Sequence, residues 1–245
     1  MRLSGLGFRV GGLDILEDVD LEVARGECLG VIGPNGAGKT TLFNLLSGLL
    51  RPTSGVVEID GRDVAGLGPA RRARLGLGRT FQSSTLFSAL SPRQHARLAA
   101  LARAGAAPRW WARPRRGDVV DSVALEAVRS VGLEPLADRP VGSLSHGDRR
   151  KVELAILLAG GSRTLLLDEP MAGVNREDVP ALVELIAGLR QGGRTILMVE
   201  HHMAVIMGLV DRAAVLHHGR LLICGRPEQV ASDATVQAVY LGEPL

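Results

Sequence analysis

Aromatic residues are scarce, with four Phe, two Trp and one Tyr in 245 residues, so a core has to be built from Leu, Val, Ala and Ile. Hydrophobic residues still make up 46%. That is enough to bury one large domain, or a core domain carrying a subdomain. Cysteine is nearly absent: Cys28 and Cys224 lie far apart in apolar runs without a CxxC pair. This argues against a disulfide framework or a thiolate metal site and predicts two buried free thiols. No stretch approaches the roughly 20 uninterrupted apolar residues of a spanning helix. The start, MRLSGLGFRV, lacks the charged-then-apolar plan of a secretory signal, so the chain is expected in the cytosol. Lysine is the rarest charge, at positions 39 and 151 alone among 29 basic residues, and the formal charge of +3 is mild. The groups Arg71, Arg72 and Arg74, Arg113, Arg115 and Arg116, and Arg149, Arg150 and Lys151 are expected on solvated helix faces. Nothing has the aromatic and basic platform of an RNA binder, and no nucleic-acid partner is expected.

What is plentiful is glycine, with 31 residues, together with apolar runs of alternating period. Strands are predicted over 7–10 and 15–23, the first two separated by the turn Gly11-Gly12. Cys28 to Ile32 is continuously apolar, as a strand buried on both faces requires. After a glycine loop, Leu42, Leu45, Leu46 and Leu49 give 40–50 a helical spacing. A strand is predicted over 56–59 and a short basic helix over 69–75, followed by a helical block over 91–159. Within that block lies APRWWARPRRG, a loop of proline, arginine and tryptophan. Strands over 164–167, 195–199, 213–216 and 221–224, with a helix over 179–189, complete the order. Alternating strands and helices imply a mainly parallel sheet covered on both sides, with the helical block inserted into it.

The loop Gly33-Pro34-Asn35-Gly36-Ala37-Gly38-Lys39-Thr40, followed by Thr41, fits G-x-x-x-x-G-K-[ST] between a predicted strand and helix. Glycines let successive amides point at phosphates, the helix N-terminus adds partial positive charge, Lys39 reaches the outer phosphates and Thr40 suits Mg²⁺. A chain that otherwise uses Arg has placed one of two lysines where a compact point charge serves best. Asp168 and Glu169 close the apolar strand 164–167. Asp168 is positioned to hold Mg²⁺ through water, and Glu169 to orient and polarise an attacking water. His201, after the next strand, is placed to contact a γ-phosphate, and the amide of Gln82 to touch both Mg²⁺ and the water.

The segment Leu144-Ser145-His146-Gly147-Asp148 resembles the LSGGQ signature of ABC ATPases and opens a helix predicted over 149–158. The phosphate loop, Gln82, the signature, Asp168-Glu169, Ala172-Gly173-Val174-Asn175 and His201 follow the family's order across the whole chain. The resemblance implies an α/β fold: a RecA-like P-loop NTPase core (1–88 and 161–245) with an antiparallel β subdomain and an inserted α-helical subdomain (89–160). It implies ATP and Mg²⁺ as cofactors and head-to-tail pairing with a second ABC ATPase subunit. In that pair Ser145 and the Gly147 backbone of one copy face ATP on the other, and ATP acts as dimer glue. Transmembrane permease subunits, and through them an extracytoplasmic solute-binding protein, are the implied partners, at the cytoplasmic face of the membrane.

GRTFQ at 78–82, DEPMAGVN, MVEHHM and VYLGE at 239–243 look like the branched-chain amino acid uptake ATPases. LSHG and VLHHG also look like urea-uptake ATPases, so a urea or short-chain amide importer is the alternative. A soluble, non-transport ABC ATPase is a further one, although one compact cassette has neither a second cassette nor a long insertion. A P-loop kinase would have no use for the signature or for His201. Four departures from the pattern stand out. Val10 replaces the adenine-stacking aromatic, which predicts weak stacking or stacking supplied differently. His146 and Asp148 replace signature Gly and Gln, and Asn175 stands where relatives have Asp. Asp148 brings negative charge toward phosphate, offset by the neighbouring Arg149 and Arg150. His202, His217 and His218 are expected as surface residues. Trp110 and Trp111 are expected to pin their loop to the helical subdomain, with contact to a membrane subunit or lipid headgroups as the alternative.

Overall fold

The computed structural model describes residues 1–80, 86–105, 118–200 and 203–241, with the backbone alone at 203, 204 and 241. Strands β1 (Arg2–Val10) and β2 (Leu13–Glu22) form a hairpin closed by Gly11 and Gly12. Strand β3 (Cys28–Ile32) is buried at every residue and leads through 33–38 into α1 (Lys39–Ser47). Strands β4 (Ser54–Ile59) and β5 (Arg62–Asp63), helix α2 (Pro69–Arg74) and strand β6 (Leu77–Arg79) follow.

A helical block comes next: α3 (Pro92–Arg103), α4 (Val119–Ser130) and α5 (His146–Ala159), which pack on one another. Helix α3 starts at a capping box in which the Ser91 hydroxyl accepts from Gln94 N–H and Gln94 Oε1 accepts from Ser91 N–H. The chain closes with β7 (Thr164–Asp168), α6 (Val179–Gln191), β8 (Thr195–Val199), α7 (Met203–Leu209), β9 (Arg212–His217), β10 (Arg220–Gly225), α8 (Pro227–Ser232) and α9 (Ala234–Leu241).

Two sheets result. The smaller is antiparallel, in the order β2-β1-β4-β5; the larger runs β10-β9-β3-β8-β7-β6, parallel except for β10. The strands of the larger sheet feed two cores by simple alternation. Cys28, Ile32, Leu165, Leu167, Ile196, Met198, Ala213 and Val215 join the core shared with the helical block and α6. Leu29, Val31, Leu166, Leu197, Val199, Ala214 and Leu216 join the other, with Leu42, Phe43, Leu45 and Leu46 of α1 and the apolar side of the small sheet. Because both faces are covered, the carboxyl ends of β3, β7 and β8 are left to carry polar chemistry. Among the described residues no helix is long and apolar enough to cross a membrane.

Several expectations are corrected. Arg72 is not on a solvated face: it is fully buried, and its guanidinium donates to the carbonyls of Leu45, Leu46, Leu67 and Ala65. Two of those carbonyls belong to the last turn of α1, where helix carbonyls lack intrahelical partners and favour a cation. Cys28 is buried, but Cys224 is only half-buried, with Arg212 Nη2 donating to its Sγ at 2.9 Å. The signature helix begins at His146 rather than 149, because Ser145 caps it.

Candidate active site

The phosphate loop gets its shape from two cramped glycines. Gly33 sits at φ 148°, and a Cβ there would lie 2.1 Å from the Leu216 carbonyl oxygen. Gly38, at φ 101°, would meet Leu16 Cδ2 at 2.7 Å and the Ile15 carbonyl oxygen at 3.1 Å. The loop is thus pressed onto β2 and the end of β9, and any larger residue would push it off. Gly38 is the N-cap of α1 and offers no side chain to the first-turn amides, nor does the first turn hold an acidic residue. Those amides stay available to an anion from outside.

Lys39 is 7% exposed. Its Nζ donates to the carbonyls of Gly33 at 2.6 Å and Pro34 at 2.9 Å, which folds the ammonium back over the loop. Burial lowers its pKa, while the charge of Glu169 acts in the opposite direction. An ammonium held by carbonyls, with no carboxylate in bonding distance among the described residues, suits a polyphosphate. Asn35, Gly36 and Thr40 are exposed, Pro34, Gly38 and Thr41 are half-buried, and Gly33 and Ala37 are buried.

Asp168, buried at the end of β7, accepts from Arg79 Nη2 at 2.9 Å, and its own N–H donates to Thr80 Oγ1 at 3.1 Å. Glu169 follows in the left-handed region at φ 47°, uncommon for a residue with a Cβ, and is pinned by its N–H to the Val199 carbonyl at 3.0 Å. That kink turns the chain at the strand end. Glu200, buried at the end of β8, braces the next stretch by accepting from Met171 N–H at 2.9 Å. The fold therefore brings Lys39, Asp168 and Glu169 to one end of the sheet. Gln82, His201, His202, Trp110 and Trp111 lie outside the described residues.

A Thr hydroxyl and an Asp carboxylate are hard oxygen donors of the sort Mg²⁺ takes alongside phosphate and water. Among the described residues there is no group of three His, Cys, Asp or Glu that could hold a metal ion. Arg79, Thr80 and Glu200 frame this site and were not among the candidates from sequence.

The signature segment is elsewhere. Ser145 Oγ accepts from Asp148 N–H at 3.1 Å and donates to Asp148 Oδ2 at 2.9 Å, and Lys151 Nζ reaches Asp148 Oδ1 at 3.5 Å. The charges expected to offset Asp148 are turned away: Arg149 donates to the carbonyls of Val141 and Gly142, and Arg150 pairs with Glu153. Lys151 does that work instead. Ser145 is exposed and Gly147 buried against Asp178, and no hydrogen bond joins either to residues 33–41 among the described residues. At the hairpin tip Val10 is 56% exposed, with no aromatic neighbour on the tip. His217 and His218 meet edge-on at the β9–β10 turn, their ring centroids 4.0 Å apart.

The family model described as ABC transporter matches residues 16–172, spanning both the phosphate loop and Asp168-Glu169. The chain belongs to the ABC transporter family. This ABC protein is 36% identical over 250 residues to the high-affinity branched-chain amino acid transport ATP-binding protein BraF of Pseudomonas aeruginosa, covering 99% of this chain and 98% of the relative. It is 37% identical, with the same coverage, to LivG of Escherichia coli K12, which carries the same description. A crystal structure of the ADP conformation of an ATP-binding cassette superposes with a TM-score of 0.87 at 27% identity, covering 99% of this chain and 98% of the other. The ABC chain is thus an ATPase with the RecA-like P-loop fold, antiparallel β subdomain and inserted helices that the resemblance implied.

Proposed function

We propose that this chain is the ATP-hydrolysing subunit of an importer for branched-chain amino acids, bound peripherally at the cytoplasmic face of the membrane. Two ATPase subunits pair head to tail and drive separate permease subunits, which a solute-binding protein loads from outside. The observation that carries the reading is the shared strand-end position of an open helix N-terminus with Lys39 and the kinked carboxylates Asp168-Glu169. The branched-chain assignment rests on the similarity to BraF and LivG, both branched-chain amino acid transport ATP-binding proteins.

Residues Gly33 to Thr41 hold the phosphates through amides and the Lys39 ammonium. Thr40, Asp168 and Gln82 would hold Mg²⁺, which when bound would supply positive charge against the phosphates. Glu169 orients and polarises the attacking water, and His201 contacts the γ-phosphate. Ser145 and the Gly147 backbone close over the nucleotide of the second copy. Residues 1–88 and 161–245 act as the core and β subdomain, and 89–160 as the helical subdomain.

Glu169→Gln tests the chemistry. It keeps the shape and loses the charge that polarises water, so hydrolysis should fall about 100-fold or more while an ATP-bound dimer accumulates on gel filtration. Normal turnover would remove Glu169 from its role. For cargo, the membrane subunits that co-purify should be rebuilt into proteoliposomes with the solute-binding protein. Leucine-stimulated ATP hydrolysis supports the reading, and a response to urea alone reassigns the cargo.

A further inference from the structure

Arg79 closes β6, the edge strand of the larger sheet, and its side chain is 7% exposed. One guanidinium ties three elements together. Nη2 donates to Asp168 Oδ2 on β7 at 2.9 Å, and Nη1 donates to Asn44 Oδ1 at 2.7 Å and Ser47 Oγ at 2.9 Å on α1. The group also lies 5.8 Å from the centroid of the Phe43 ring, on the same helix. The next residue, Thr80, takes the Asp168 N–H, so two consecutive residues at the end of β6 and just beyond it hold the carboxylate and its backbone. Asp168 Oδ1 accepts no hydrogen bond among the described residues.

A buried ion pair this short is weak proof of a stabilising purpose, because desolvation of both charges opposes their attraction. Its geometry says more. Asp168 is gripped by one oxygen while the other accepts no hydrogen bond among the described residues, and the helix that grips it through Arg79 is the one that begins at Lys39. We propose that Arg79 is a positioning residue for the metal ion that accompanies the nucleotide. It fixes Asp168 by Oδ2, presents Oδ1 to the metal, and locks that carboxylate to the helix beneath the phosphate loop. A planar fork can span Asp168, Asn44 and Ser47 at once, which an ammonium cannot. The inference rests on the assignment of Asp168 to the metal made above.

The test reads equilibrium binding of a fluorescent ADP analogue in excess EDTA and in saturating Mg²⁺, in chains shown by circular dichroism to be folded. Arg79→Met should leave the metal-free affinity within about twofold and cut the strengthening by Mg²⁺ about tenfold, the size of effect known for residues that orient metal ligands. Arg79→Lys should recover part of that loss. The double variant Asn44→Ala/Ser47→Ala, which frees the guanidinium from α1 but not from Asp168, should cut it about threefold. Should Arg79→Met fail to fold, the Lys and double variants decide. Full Mg²⁺ strengthening in both, or an equal loss of affinity with and without metal, overturns the inference. Asp168→Asn separates the two levels: full Mg²⁺ strengthening there means that the metal site itself is misassigned.

Discussion

The N-termini of α1 and α5 are opposites. Helix α1 starts at Gly38 with no side-chain cap and no acidic residue in its first turn, whereas α5 starts at Ser145, whose hydroxyl takes the Asp148 N–H, with the Asp148 carboxylate folded over it. The far end of α1 is closed by the buried Arg72 guanidinium on Leu45 and Leu46 carbonyls, so its unmet hydrogen-bonding groups lie at the end facing the phosphate loop. One helix end waits for an anion, and the other already holds one of its own. A single chain therefore carries one helix end left open to an anion and another that is already satisfied from within.

The difference between the two ends should show most strongly at Lys39. Lys39→Ala removes the ammonium but leaves the amides, and ATP affinity should fall about 100-fold, close to 3 kcal/mol. Equilibrium titration checks it, and undiminished affinity would mean that α1 is not the open end. Arg72→Met comes next. It keeps the apolar stem and strips two helix carbonyls of their donor, which should cost about 2 kcal/mol of stability in denaturant unfolding. An unchanged unfolding midpoint would show that water replaces the guanidinium.

The open helix end was legible in the sequence because it is built locally. Continuous apolar residues over Cys28–Ile32, the glycines after them and a misplaced lysine are all adjacent in the chain. The buried arginines were not legible, because PARRAR reads the same whether Arg72 faces water or α1. A trace of Arg79 was present: Asn44 and Ser47, polar residues three apart amid the leucines of α1, need a partner that only the fold supplies. Helices α7, α8 and α9 went unread because they are short, and α9 is apolar around most of its turn, so no period of 3.6 stands out.

Ser145→Ala acts on the closed end, α5. Loss of the cap should lower stability by about 1 kcal/mol without touching ATP affinity in the monomer. Reduced monomer affinity would mean that α5 already serves its own chain's nucleotide.

Asp148→Asn asks the subtler question of what the carboxylate does there. The residue-148 amide N–H and the Ser145 hydroxyl survive the change, so the cap stays and one negative charge leaves a helix end that is partly exposed. If that end meets a triphosphate on a second copy, its charge opposes pairing, screened by Lys151 at 3.5 Å. In a Glu169→Gln background, ATP-driven dimerisation should then tighten about threefold at low salt, with the gain shrinking as ionic strength brings the screening length below about 10 Å. Sedimentation at two salt concentrations reads both effects. A gain that ignores salt would point to packing rather than charge, and no gain at all would place Asp148 away from the phosphates, leaving Ser145 and the Gly147 amide as the only parts of this helix end that face them.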